Sequence, residues 1–388
     1  MSEARPTQRI ETLAVHSGAR RPGPEGSVVF PIYQSTVYTY DEAAGYHDIK
    51  YLRLSSTPSQ HYLHDKLAAL EGAEAALATS SGMAAVTGSL LTQVKMGDHI
   101  LAGDTLYGGT HTFLKDHAPQ HGLSVSSVDP AKPETWKAAL RPTTRVFLVE
   151  SITNPLMRVA RHKEVVAFAK EHRLVTIIDN TFATPVNFRP IGLGYDLVFH
   201  SATKYLNGHS DLVAGCVVGS KAMIEKVRHT ANHFGGILDP HAGYLLARGI
   251  KTLALRVRQQ QATALALARA LAGNAKVAAV NYPGLETHPD HQHARELLSG
   301  FGGMLSFRLK GGLAAVERFI AAVTIPYHAP SLGGVETLVV RPAVTSHGGI
   351  PKAERDALGI TEDLVRVSCG IEATEDLLED FRQAIDKA

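Results

Sequence analysis

Up to about residue 220, short apolar runs ending in polar or glycine-rich turns alternate with stretches whose apolar residues recur every three or four positions. The runs at 75–79, 100–102, 145–150, 174–178, 196–199 and 212–219 have few charges and are bounded by turn residues, the pattern of strands buried on both faces. Ahead of the first run, Leu63, Leu67 and Leu70 mark one face of a helix stopped by Gly72. A small-residue helix runs from Gly82 to about Val94, and a crossover helix is predicted over Arg161 to His172. Strand and helix in alternation give an α/β fold, a mostly parallel central sheet with helices on both faces.

A long helical pattern from Lys251 to Leu271 leads into a different mixture. Strands are predicted over Met304–Leu309 and Leu338–Arg341, with helices over Leu313–Val323 and Thr374–Ile385, which makes a smaller α+β domain. Ahead of all this, Pro22, Gly23, Pro24, Gly26 and Pro31 break any periodicity before Gly45, so that segment reads as an extended arm. The predicted organisation is an arm over 1–58, a large domain over 59–252 and a C-terminal domain over 253–388.

Two strand ends carry chemistry. The run over 174–178 delivers Asp179 to the carboxyl edge of the sheet, where open α/β sheets bind ligands. The next run delivers Lys204 directly after Ser201 and Thr203, in Ser201-Ala202-Thr203-Lys204-Tyr205. A lysine for a Schiff base, an acid for a pyridine nitrogen and hydroxyls for a phosphate are what pyridoxal phosphate requires. Lysine is a nucleophile near neutrality only when desolvated or near positive charge, so Lys204 is expected to be buried.

Asp179-Asn180-Thr181-Phe182-Ala183, followed by His200-Ser201-Ala202-Thr203-Lys204-Tyr205-Leu206-Asn207-Gly208-His209 and Asp211, resembles the signature of the Cys/Met-metabolism (trans-sulfuration) family of pyridoxal-phosphate enzymes. The resemblance runs from Tyr33 to about Asp380 and implies the aspartate-aminotransferase-like architecture, PLP-dependent transferase fold type I. It gives Lys204 the cofactor and the proton transfers, with Tyr107 stacking on the ring and assisting at the leaving sulfur. Asp179 would hold the ring nitrogen, and Ser201, Thr203 and the amides of Gly82 and Met83 the phosphate. Tyr51 and Arg53 would reach the phosphate of a neighbouring subunit; after them, Ser55-Ser56-Thr57-Pro58 departs from the family's Asn-Pro-Thr. For the substrate, the resemblance offers Asn154, Ser331, Glu336 and Arg366.

The implied activity is cleavage of a carbon–sulfur bond. Glu336 resembles the acid that γ-lyases and γ-synthases use for the distal amino group of cystathionine, where β-lyases often carry an aromatic near the place of Val335. Gly109 stands where methionine γ-lyases typically carry cysteine. Cystathionine γ-lyase is therefore the first expectation, with cystathionine γ-synthase, cystathionine β-lyase and methionine γ-lyase as alternatives and a non-catalytic PLP-binding protein as the remote one. A homodimer with shared sites, assembled into a homotetramer, is implied as well.

Composition narrows the partners. The 388 residues hold 39 Lys plus Arg against 37 Asp plus Glu, a net charge of +2, which points to a small-molecule partner and away from nucleic acid or membrane. Two cysteines, Cys216 and Cys369, make no disulfide framework and suit a reducing cytoplasm. Met1 to Arg9 lacks the apolar core of a signal peptide. His288, His291 and His293 lie among Pro283, Gly284 and Pro289 in an expected surface loop, without the acids or thiols of a zinc site, so no metal is expected. There is no Gly-x-Gly-x-x-Gly after a strand and no Walker lysine.

Overall fold

The computed structural model describes residues 8–19, 21–40, 45 and 49–388. Residues 1–7, most of the polar stretch expected to lack a signal peptide, lie outside the described residues. The first sheet is built from β1 (Ala75–Thr79), β2 (His99–Gly103), β3 (Ser124–Val128), β4 (Thr144–Glu150), β5 (Val175–Asp179), β6 (Leu197–His200) and β7 (Gly215–Gly219). Their order is β1-β7-β6-β5-β4-β2-β3. The five strands from β6 to β3 run parallel, whereas β7 pairs antiparallel with both β6 and β1. Apolar runs such as Val146–Val149 and Ile177–Ile178 are fully buried because helices cover both faces of the sheet.

The register fixes the site. Glu150 pairs with Asp179 across β4 and β5, and Asp179 with Phe199 across β5 and β6, so the carboxyl ends of three strands finish level. The helix before β1 is Pro58–Glu71, longer at its start than its leucine face suggests, because Pro58 occupies the first turn and Thr57 and Gln60 form a capping box. Gly72 ends it in the left-handed region at φ 70°.

The helix Leu253–Ala272 joins two cores. Leu253 and Val257 pack into the core of the first sheet, and Ala264, Leu267 and Leu271 into that of a second. The second sheet comprises β8 (Val277–Asn281), β9 (Met304–Leu309), β10 (Tyr327–His328), β11 (Leu338–Val340) and β12 (Leu364–Ser368), in the order β10-β11-β12-β9-β8. Among the described residues no helix is long and apolar enough to cross a membrane.

Two expectations are corrected. The N-terminal segment is not irregular throughout: Ile10–His16 is a helix, with Ala14 buried and its carbonyl accepting a 2.8 Å bond from Lys66 Nζ. The histidine stretch is not a surface loop. His291 opens a helix, His291–Leu297, and its Nδ1 bonds Pro283 O at 2.8 Å. His293 Nε2 lies 2.8 Å from Ala160 O, and His288 is buried beside Asp290.

Candidate active site

A cavity of about 710 Å³ opens at the carboxyl ends of β4, β5 and β6. Its wall brings together Gly82, Met83, Tyr107, Asn154, Asp179, Ser201, Thr203, Lys204, Ser331 and Arg366, all of them singled out in the sequence. Tyr51, Arg53 and Glu336 do not line it.

Lys204 Nζ donates to Ser331 Oγ at 2.8 Å. Burial, with the positive charge of Arg366 adding to it, pushes its amine down to about 8. Both effects favour the neutral, nucleophilic form. Asp179 accepts hydrogen bonds from the Thr181 amide at 2.9 Å and from the Thr181 hydroxyl. Burial raises its carboxyl above the ordinary aspartate value, while the two Thr181 donors and the charge of His200 work the other way. Behind it, His200 Nε2 meets Glu71 Oε1 at 2.7 Å in a buried pair that Asn180 Nδ2 joins at 2.9 Å.

The anion cradle is narrow. Ser81 caps the helix Gly82–Gln93 by accepting from the Ala84 amide at 3.1 Å, which leaves the first amides, those of Gly82 and Met83, at the cavity wall. A Cβ on Gly82 would stand 2.9 Å from Ser201 Oγ, so glycine is needed there for backbone and hydroxyl to converge on one ligand. Thr203 Oγ1 exchanges bonds with Ala214, donating to its carbonyl at 3.1 Å and accepting from its amide at 2.9 Å. To donate to a phosphate, Thr203 has to give up the Ala214 carbonyl.

Across the cavity, Arg366 is buried in β12, on the face an alternating strand would otherwise turn to solvent. Its Nη1 donates to Asn154 Oδ1 at 3.0 Å and its Nη2 to Ser331 O at 2.8 Å, while Nε has no partner. A buried guanidinium with an unpaired N–H is a receptor for a carboxylate. Ser331 itself sits at φ 131°, a conformation that side-chain-bearing residues seldom adopt and that its contacts to Lys204 and Arg366 hold in place.

Tyr107 is 46% exposed at the cavity wall. A Cβ on Gly109 would lie 2.7 Å from its ring and 3.0 Å from Met83 Sδ, so the glycine is what lets the ring rest there. The Tyr107 amide donates to Glu150 Oε1 at 2.6 Å. Glu150, like Thr181, belongs to the site although neither was singled out from the sequence. The only signal for Glu150 was an acid closing an apolar run, which is informative once its register with Asp179 is known.

Tyr51 and Arg53 stack on each other, the guanidinium carbon 5.6 Å from the ring centre, in the turn before Pro58. Glu336 Oε2 accepts from Ser210 Oγ at 3.5 Å, on the same loop as Ser331. A desolvated lysine, a half-buried acid held by the Thr181 amide and hydroxyl, a glycine-framed helix start and an open ring face together fit pyridoxal phosphate. Arg366 with Asn154 and Ser331 fits an amino-acid carboxylate beside it.

The chain matches the family described as Cys/Met metabolism PLP-dependent enzyme over residues 11–386. It is 41% identical over 379 residues to a cystathionine β-lyase of Lactococcus lactis subsp. cremoris, spanning 97% of this chain and 99% of the relative. It is 41% identical over 387 residues to an L-methionine γ-lyase of Pseudomonas putida, spanning 96% of each. The crystal structure of metB from Corynebacterium glutamicum superposes with a TM-score of 0.94 at 37% identity, covering 98% of both chains.

Proposed function

Because the chain belongs to the Cys/Met-metabolism family of pyridoxal-phosphate-dependent enzymes, we propose that it is a carbon–sulfur lyase that splits L-cystathionine by γ-elimination into L-cysteine, 2-oxobutanoate and ammonia. Relatives of nearly equal identity carry different activities, so identity does not choose among them. The observation that sets cystathionine ahead of methionine is Gly109 against the Tyr107 ring, since the cysteine expected there in methionine γ-lyases would collide with that ring and with Met83. Glu336, on the loop that bears Ser331, supplies an acid for the distal amino group.

When bound, the cofactor supplies the electron sink for the pair left at the substrate's Cα. Arg366 forks the α-carboxylate, with Asn154 orienting the guanidinium. Lys204 moves the protons at Cα and Cβ, its amine neutral enough for the task at working pH. The Tyr107 hydroxyl gives a proton to the leaving sulfur. Asp179 would hold the ring nitrogen of the cofactor in its charged form, and Thr181 fixes the Asp179 carboxylate.

Supplying L-cystathionine alone and identifying the products by mass spectrometry tests the proposal. Homocysteine with pyruvate would make the protein a β-lyase, and no turnover of any sulfur amino acid would make it a PLP-binding protein. The apolar stretch of wall formed by Val213, Leu332 and Val344 favours a second reading, elimination from thioethers with no distal charge. Faster turnover of L-methionine than of cystathionine would establish that one.

Since Tyr51 and Arg53 stand outside the cavity of their own chain, we assign them to the phosphate of a neighbouring copy, in a homodimer with shared sites that pairs into a homotetramer. Mixing and reassembling inactive Arg53→Ala and Lys204→Ala variants should restore activity, because the mixed dimer has one intact site. Absence of any recovery would count against shared sites. The buried free thiols of Cys216 and Cys369 accord with a cytoplasmic enzyme.

A further inference from the structure

Glu150 ends β4 beside Asp179, 5% exposed, on the wall of the same cavity. Neighbouring strands of a sheet lie about 4.8 Å apart, so two residues paired in register place their carboxyls side by side when both face the same cavity. Both line this one. Glu150 Oε1 accepts the Tyr107 amide at 2.6 Å, and the Asn154 amide favours the charged form of the same carboxyl. One side chain thus holds the turn that carries the stacking ring, beside the turn whose side chain orients Arg366.

We propose that Glu150 is a positioning residue, a neutral carboxylic acid that fastens the Tyr107 turn to the end of β4 and leaves Asp179 as the one negative charge facing the cofactor. The inference rests on the reading of this cavity as a pyridoxal phosphate site. Of two carboxyls side by side on one wall, the second to ionise meets the charge of the first, so the better-compensated one keeps its charge. Asp179 has two Thr181 donors and the positive charge of His200. Glu150 has backbone amides and no cation: Lys204 donates to Ser331, and Arg366 to Asn154 and Ser331. Burial, reinforced by the charge of Asp179, pushes the Glu150 carboxyl well above the ordinary glutamate value. A neutral acid still accepts the Tyr107 amide, which would otherwise lose its partner.

The test compares wild type, Glu150→Gln and Glu150→Ala in cofactor affinity, by equilibrium dialysis of the apoprotein, and in kcat/KM for cystathionine. Glutamine keeps the neutrality and one carbonyl acceptor, so losses of about threefold are expected in both. Alanine strands the Tyr107 amide and frees the turn that carries the stacking ring, and about thirtyfold losses are expected. A Gln variant as impaired as the Ala variant would mean that the charge is what matters and would overturn the proposal, as would an Ala variant within threefold of wild type. Should Glu150→Ala not fold, Glu150→Asp replaces it: the shorter acid keeps the chemistry but not the reach. Gln must then bind the cofactor more tightly than Asp, and the reverse order rejects the idea. A wild-type protein that binds no pyridoxal phosphate would remove the reading of the cavity itself, a result distinguishable from any ordering of the variants.

Discussion

Removing the cofactor exposes Lys204 to direct titration. With its amine at about 8 rather than the ordinary 10.5, about one tenth of it is neutral at pH 7, against about three parts in ten thousand for an unperturbed lysine. That is about a three-hundredfold larger nucleophilic fraction. The rate at which apoprotein recaptures pyridoxal phosphate, followed by its visible absorbance in a stopped-flow instrument, should therefore rise with pH and level off above about 8. The second cause of the shift, the Arg366 charge, gives the sign of the control. A nearby cation disfavours the protonated amine, so Arg366→Met must raise the Lys204 value, move the inflection to higher pH and slow capture at pH 7. The added room lets water in and shifts it the same way. An inflection above pH 10 in the wild type, or an acid shift in Arg366→Met, would refute the reasoning.

Arg366→Lys keeps the charge but loses the fork; with about 3 kcal/mol of charge-assisted bonding gone, kcat/KM should fall about a hundredfold in steady-state assays while cofactor affinity holds. Gly208→Ala would put a Cβ 1.8 Å from Arg256 Nη1 at φ 75°, displacing the guanidinium that binds the carbonyls of Tyr205 and Gly249; a loss of about 2–4 kcal/mol is expected in urea unfolding. Gly109→Cys overpacks the Tyr107 ring and should cost about 1–3 kcal/mol, read as a lower melting temperature together with slower cystathionine turnover.

The central strands and the candidate residues that line the cavity were legible because each strand of the parallel sheet is an uninterrupted apolar run and these residues sit at the end of such runs. Asp179 and Lys204 could be placed before any contact was known. Direction was not legible: the run over 212–219 gives only Gly215–Gly219 as strand, antiparallel to its neighbours, and nothing in an apolar run states which way it points. Glu150 was hidden for a related reason, since its meaning depends on register with a strand 29 positions on. The helix Ile10–His16 escaped notice because the prolines and glycines after it dominate the segment. His288 was misjudged because proline and glycine mark a turn without saying whether it is covered. The distal end of the substrate pocket is the least legible part, as Glu336 lies outside the cavity wall of the single chain.

The helix Leu253–Ala272 has a consequence for how the molecule can come apart. Its first turns are buried only when the first sheet exists and its last turns only when the second does. Arg256 and Gln260, one turn apart on it, bind the Tyr205 carbonyl beside Lys204 and the Gly334 carbonyl beside Ser331. Neither half of the chain can therefore be lifted out and grafted to another partner at this helix without exposing apolar surface and releasing one of the two loops that meet at the lysine. Exchange of modules by recombination is closed at this junction, and a change in substrate preference has to arise by substitution within the loops, with the helix kept as a fixed ruler between them.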